Sequence, residues 1–422
     1  TIKENPDGSY TPVFGKVHLS GTVFDIIAAE DIYTPDGTLR TEKGETVETV
    51  TTDEEGKAVS QQHYLGAYDV IEKQTAENHV LNPLPHCVEL TYAGQKVSVT
   101  EEKLQVDNAR QKAQISLYKE LERDVLYGYD GSGYADVSFG IYAAEQITAA
   151  DGTFIPKDGL IDTAGVTPLE GTECVFEGTF AADLPHSTYY VKEKTAAEGY
   201  LIDETKYPVC FAYEDENVSL VQLAVNEGEK MKNSILRGDI SGIKVNADGE
   251  PLEGALIGLF KEEETSFTCD TALQTDITGI DGCFCFENVA HGGYVVHEIK
   301  APAGYILSGI SYPVTVGMDE SAEIMLQLVN DHTKVEILKV DADTGKALAG
   351  AVLQLFNSHG RLIEEWTSTT GAREFDALPA GTYILNETSA PEGYLKAEHM
   401  TIEVKETADV QTFTMEDARK PE

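Results

Sequence analysis

The sequence predicts an all-β protein built as four tandem β-sandwiches in an elongated rod. Three observations carry that prediction. One segment recurs four times, short alternating runs rich in Val, Ile, Thr and Tyr fill the space between copies, and convincing amphipathic helices are scarce. At 422 residues the chain is also too long for one ordinary core.

The recurring segment is clearest as "YVVHEIKAPAGYIL" from Tyr294. It returns as "YILNETSAPEGYLK" from Tyr383, as "YYVKEKTAAEGYLI" from Tyr189 and, more loosely, as "AYDVIEKQTAENHVL" from Ala67. Upstream of each copy a small residue opens an apolar alternation: "GTVFDIIAAE" from Gly21, "VSFGIYAAE" from Val137, "GALIGLF" from Gly254 and "GAVLQLF" from Gly350. Asp-Gly and Thr-Gly turn signals punctuate the runs. The expected domains are 1–110, 111–235, 236–332 and 333–422. Links of 119−108=11, 244−233=11 and 339−330=9 residues are too short to act as flexible tethers, hence the expected stiffness. "VTEEKLQVDNARQ" fits either a helix or a strand.

A net charge of −42 argues against nucleic acid or anionic membrane as partners. No apolar run approaches a membrane span, and the opening "TIKENPDG" reads as the inside of a strand, so the chain is expected to be a monomeric segment of something longer. The six cysteines read as free thiols. Cys174 shares a face with Phe176, and Cys210 is in outward phase. Cys283 and Cys285 sit side by side opposite Phe284 and Phe286, poorly placed to bridge, and Cys87 and Cys269 have no evident partner. No cofactor is expected, and no metal: C-x-x-C is absent and the histidines show no ligand-like pairing.

Polar residues in apolar phase carry the chemistry. Lys119 follows Ile115 and Leu117, Lys244 follows Ile240 and Gly242, and Lys339 follows Val335 and Ile337. "TIKENPDG" matches "GIKVNADG" and points to Lys3. A glutamate recurs in the same phase as Glu72, Glu193, Glu298 and Glu387. The last strand of each repeat ends in Asn108, Asn233, Asn330 or Asp417. Lys and Glu are almost never fully buried unless paired. An apolar core lowers a lysine pKa and raises that of a glutamate, leaving an amine nucleophile beside a carboxylic acid. Such an amine can attack the Asn carboxamide while Glu shuttles protons and ammonia leaves; with a protonated Asp, water leaves.

These repeats resemble the Cna-B or SpaA-type prealbumin-like (Ig-like) domains of Gram-positive surface adhesins and pilins. The resemblance rests on "KVDADTGKALAGAVLQLF" with "YILNETSAPEGY", and on "KVNADGEPLEGALIGLF" with "YVVHEIKAPAGY". It implies spontaneous intramolecular isopeptide bonds: Lys3–Asn108 with Glu72, Lys119–Asn233 with Glu193, Lys244–Asn330 with Glu298 and Lys339–Asp417 with Glu387. Repeat one departs from the pattern, with "TAENHV" in place of an AP-x-GY turn and an insertion that offers Lys16 as a rival nucleophile. In repeat four, Asp417 could instead form an ordinary ion pair with Lys339.

The resemblance implies the stalk of a cell-wall-anchored surface protein, extracellular, with no turnover activity beyond one self-directed reaction per repeat. Two alternatives stay open. Repeats one and two form an adhesive region for an unknown host or microbial ligand, or the chain is a sortase-polymerised pilin shaft, although neither a sorting signal nor a pilin lysine motif is visible. Other motifs have plainer readings. Arg237–Asp239 spells RGD on an inter-repeat link, where such residues are ordinary. "DADTG" from Asp341 and "DITGIDG" from Asp276 lack EF-hand spacing and read as Asx-type turns rather than calcium loops. Tyr127, Tyr129 and Tyr134 are expected to pack on a domain flank.

Overall fold

The structure is a computed structural model that describes residues 1–317 and 324–421. The described residues are strands joined by loops, with only short 3-10 turns such as Ser132–Asp136 and Val225–Gly228. Two compact units emerge, 1–125 with 129–234, and 126–128 with 235–422.

In the first unit, repeat two is a complete sandwich. One sheet runs in the order Leu160–Gly165, Ser138–Ala143, Ser187–Thr195, Tyr207–Phe211. The other is centred on Lys112–Leu121, flanked by antiparallel Val175–Phe180 and by parallel Leu220–Ala224 and Met231–Asn233. Repeat one has the first kind of sheet: Thr46–Thr51, Val23–Ala28, Gly66–Gln74, His86–Leu90 in order.

The strand expected to end at Asn108 is not formed. Residues 101–109 carry no ladder, and Arg110 makes an isolated bridge to His79. The ambiguous "VTEEKLQVDNARQ" is therefore mostly irregular, with its last residues leading into Lys112–Leu121. At "NPDG" the chain reverses. Gly8 sits at φ +79 and its N–H bonds to Asn5 O, folding Ile2–Glu4 back on Tyr10–Pro12. A strand needs a neighbour for its hydrogen bonds, and this hairpin leaves none beside 101–109. The hairpin lies against repeat two instead, with Ile2 N–H donating to Thr153 Oγ1 at 2.7 Å.

The second unit repeats the complete pattern twice. Repeat three pairs Arg237–Asn246 with Cys283–Ala290 and, in parallel, with Ile324–Asn330; the facing sheet is Gln274–Ile277, Leu256–Lys261, Gly292–Lys300, Ser311–Val316. Repeat four pairs Lys334–Asp341 with Arg373–Asp376 and, in parallel, with Val410–Asp417. Its facing sheet is Leu362–Thr367, Val352–Asn357, Gly381–Ser389, Met400–Val404. Inward residues alternate as pleated strands demand. Ile240, Ile257, Leu259, Phe286, Val296 and Leu328 fill one core, and Val335, Ile337, Leu353, Leu355, Leu385 and Met415 the other. Gly242 is needed where it stands: a Cβ there would meet the Phe284 ring at 2.2 Å.

The six cysteines are free thiols. Cys210, Cys283 and Cys285 are exposed, opposite buried Phe284 and Phe286 for the last two. Cys174 does not share the Phe176 face as a strand residue; it precedes the strand at φ +56 and its Sγ donates to Asp130 O. Tyr129 and Tyr134 pack edge-on to Tyr200 and flat on Phe176, while Tyr127 packs edge-on to Tyr294 and accepts a hydrogen bond from Gln274. In the RGD tripeptide, which begins the Arg237–Asn246 strand, Asp239 Oδ1 accepts from Asn288 N–H at 2.8 Å. Asp341 and Asp281 cap their own turns, accepting from Thr344 and Cys283 N–H. Among the described residues, no helix is long and apolar enough to cross a membrane.

Candidate functional site

Each complete sandwich sets its lysine by strand register. Lys119 lies opposite Met231, Lys244 opposite Leu328 and Lys339 opposite Met415, so Asn233, Asn330 and Asp417 each sit two residues further along a parallel neighbour. The pleat then turns all of these side chains to the same inner face. The glutamate comes from the facing sheet, where Glu193 pairs with Phe139, Glu298 with Ile257 and Glu387 with Leu353, each beside a register shift.

The result is a dry contact of three polar groups. Lys119, Lys244 and Lys339 are at most 1% exposed. Lys244 Nζ donates to Asn330 Oδ1 at 2.5 Å, and Asn330 Nδ2 donates to Glu298 Oε1 at 2.8 Å. Glu298 Oε1 lies 3.4 Å from the lysine nitrogen. Repeat two copies this: Lys119 Nζ donates to Asn233 Oδ1, Asn233 Nδ2 reaches Glu193 Oε1 at 2.8 Å, and the Lys119–Glu193 distance is 3.1 Å. Burial pushes Lys119 and Lys244 below the ordinary lysine range, against the opposing pull of Glu193 and Glu298.

Repeat four differs by one atom. Lys339 Nζ donates to Asp417 Oδ1 at 2.5 Å and lies 3.4 Å from Glu387 Oε1, but Asp417 has no N–H to offer Glu387. Glu387 Oε1 and Asp417 Oδ2 are both buried, and neither has a hydrogen-bond partner among the described residues. Burial, reinforced by the Asp417 carboxyl, raises the Glu387 pKa. A proton held by this pair removes the like-charge conflict. Asp417→Asn should restore the missing donor; because loss of ammonia in the variant and of water in the wild type would leave the same amide, a linked repeat-four peptide should have the same mass in both. High-resolution mass spectrometry of the repeat-four peptide checks it, and a variant retaining free Lys339 would refute it.

A second device was not legible in the sequence. The other glutamate oxygen accepts a backbone N–H ten residues on: Asn82 for Glu72, Asp203 for Glu193, Ser308 for Glu298 and Ala397 for Glu387. The AP-x-GY turn supplies that return. Tyr200, Tyr305 and Tyr394 N–H bond back to Ala197, Pro302 and Pro391 O, with Gly199, Gly304 and Gly393 at positive φ. The next residue's N–H then grips the carbonyl following the Asn or Asp: Leu201 to Ser234, Ile306 to Asp331, Leu395 to Ala418. "TAENHV" keeps this geometry, because Asn78 takes the glycine position at φ +68 and Val80 N–H reaches Ala109 O. The signal was the spacing of the motif, and the missed partner is a main-chain group without residue identity.

Repeat one assembles two of its three expected groups. Asn108 Nδ2 lies 2.7 Å from both oxygens of the buried Glu72 and also donates to Val80 O. Lys3 is not with them. It is exposed, opposite Thr11 in the N-terminal hairpin, because its strand pairs with Tyr10–Pro12 and lies against Thr153 of repeat two instead of beside Asn108. Lys16 lies nearer in a different sense: its Nζ is 3.3 Å from Asp107, the residue before Asn108, with its side chain 84% exposed.

The chain belongs to the SpaA prealbumin-like fold domain family, which it matches over residues 14–103, 238–332 and 333–419. No curated protein matches it. Among solved structures it is similar to the TIE protein of Bacillus anthracis, at 16% identity and TM-score 0.46 over 97% of this chain and 70% of that one. It is also similar to BcpA, the major pilin subunit of Bacillus cereus, at 15% identity and TM-score 0.36 over 74% of this chain and 100% of that one. The shaft pilin SpaA of Lactobacillus rhamnosus GG matches at 18% identity and TM-score 0.26, over 44% of this chain and 99% of that one.

Proposed function

We propose that this chain is a load-bearing stalk segment of a bacterial surface protein, each of whose complete sandwiches is locked by an internal amide bond. The bonds join Lys119 to Asn233, Lys244 to Asn330 and Lys339 to Asp417. The observation that carries this reading is the hydrogen-bonded contact of a buried lysine amine with a buried carboxamide and glutamate. In repeats two and three the uncharged amine attacks the Asn Cγ. The glutamate takes up the proton lost by the attacking Nζ and passes one to Nδ2, which it already contacts and which leaves as ammonia. One C–N bond forms and one breaks, with no oxidant. In repeat four the leaving oxygen carries away the shared proton and the one lost by Nζ, as water.

The parallel pairing of first and last strands gives the bond its purpose. Tension on the chain ends would otherwise shear that ladder, and the amide carries the load across it. Extracellular display, attachment to a cell wall and any ligand belong to this proposal, which membership of the SpaA prealbumin-like fold domain family supports. Repeat one is left without a bond to Lys3.

Tandem mass spectrometry of a tryptic digest tests the chemistry. Branched peptides joining residues 119 to 233, 244 to 330 and 339 to 417 are expected. Linear peptides with free lysines at those positions would overturn the reading. In the same digest, Lys3 should appear unmodified.

A further inference from the structure

Within the first unit, the joint between repeats one and two holds three basic side chains in an unusual setting. Arg110 donates to Leu184 O at 2.9 Å and to Asp183, and its guanidinium lies 3.5 Å from the centre of the Phe14 ring. His186 packs edge-on to Phe211 at 4.4 Å and near Tyr213 at 6.2 Å. Its Nε2 is buried without a hydrogen-bond partner. His79 forms the bridge to Arg110, and its carbonyl accepts from Tyr213 O–H. The same short segment closes the joint: Leu81 N–H bonds to Glu216 O at 2.8 Å, while Val80 N–H holds Ala109 O of repeat one at 2.8 Å.

We propose that this joint is an acid-sensitive hinge, with His186 as the sensor whose protonation releases the segment around His79–Leu81 from repeat two. A protonated Nε2 would be a buried donor without an acceptor, in an aromatic cage beside a permanent guanidinium. The carboxylates at hand are already engaged or turned elsewhere. Asp183 is taken by Arg110, Glu216 accepts from Thr75 N–H, and Asp215 accepts from Asn217 N–H. Glu77, Asp215 and Glu216 act on Tyr213 rather than on the imidazole.

The direction of the effect follows from linkage. Burial first, then Arg110 and His79, hold His186 below its ordinary value of 6.5. The open joint therefore takes up a proton before the closed one does. Closure is fully favoured above about pH 6.5 and weakens by up to about tenfold per pH unit below it, until the depressed value is reached. Because Val80 O also accepts from Asn108 Nδ2, opening would loosen the Glu72–Asn108 contact as well.

Hydrogen exchange of the whole chain, followed by mass spectrometry and corrected for the intrinsic pH effect, tests this. Protection of the peptide spanning residues 78–84 should fall by up to about fivefold between pH 6.5 and 5.5, while peptides from repeat four keep theirs. His186→Phe, which retains a ring against Phe211, should abolish the fall. Unchanged wild-type protection, or an undiminished fall in His186→Phe, would overturn the proposal. Should that variant lose protection already at pH 7.5, ring titration of wild-type His186 by NMR decides. Protonation at or above 6.5 with the joint still protected refutes the sensor, and protonation below 6.5 in step with lost protection supports it.

Discussion

A denatured, reduced sample of this chain should weigh about 52 Da less than its sequence requires, two ammonia molecules and one water. Glu298→Ala should regain about 17 Da and leave the other two bonds untouched. The reasoning is local. Glu298 Oε1 accepts from Asn330 Nδ2 at 2.8 Å and sits 3.4 Å from Lys244 Nζ, so its removal takes the carboxyl out of that contact. Repeats two and four have their own glutamates. A deficit of about 69 Da would mean that repeat one also reacts, with Lys16 the candidate nucleophile. A full sequence mass would mean that the inward lysines are only ion-paired, and the locked-stalk reading would fall.

The second large effect is on stability, and its sign discriminates. Lys244→Met with Glu298→Gln removes both charges of the repeat-three site at nearly constant volume. Were Lys244 and Glu298 merely a buried ion pair, such a replacement would be neutral or stabilising by about 1–4 kcal/mol. If the amide is present, the variant loses a crosslink between residues 86 apart in the chain, worth about 4.5 kcal/mol in the chain-entropy treatment. Scanning calorimetry at pH 7 should therefore show one transition moving down by many degrees. A transition that stays or rises would count against the bond, whatever the crystal-like neatness of the site.

Sequence period made the inner face legible. Lys119, Lys244 and Lys339 alternate with Ile, Leu or Gly at intervals of two, and a one-residue slip would have exposed all three. The same rule misled at the strand expected to end at Asn108, where Leu104, Val106 and Asn108 alternate in the sequence. Their alternation describes a strand, but alternation specifies only a face, and a strand also needs a neighbour. The first strand, Ile2–Glu4, pairs with Tyr10–Pro12 and lies against Thr153 of repeat two, so it is no neighbour to 101–109. Lys3 went with it. The bonds from Asn82, Asp203, Ser308 and Ala397 N–H to the glutamates were illegible for another reason: any non-proline residue supplies that group.

The parallel register of first and last strands also decides which residues feel a pull. With the amides in place, a force entering repeat three runs along Arg237–Lys244, crosses to Asn330 and continues to Lys339. The 86-residue interval between Lys244 and Asn330 becomes hidden length. Extended, it would span about 300 Å, none of which can be drawn out. That interval is mechanically silent, so loops within it are free to lengthen, shorten or acquire new surfaces at no cost to tensile strength. The long insertion after Leu121 in repeat two lies in the corresponding interval between Lys119 and Asn233. A polymer of this kind can change its surface without changing its strength.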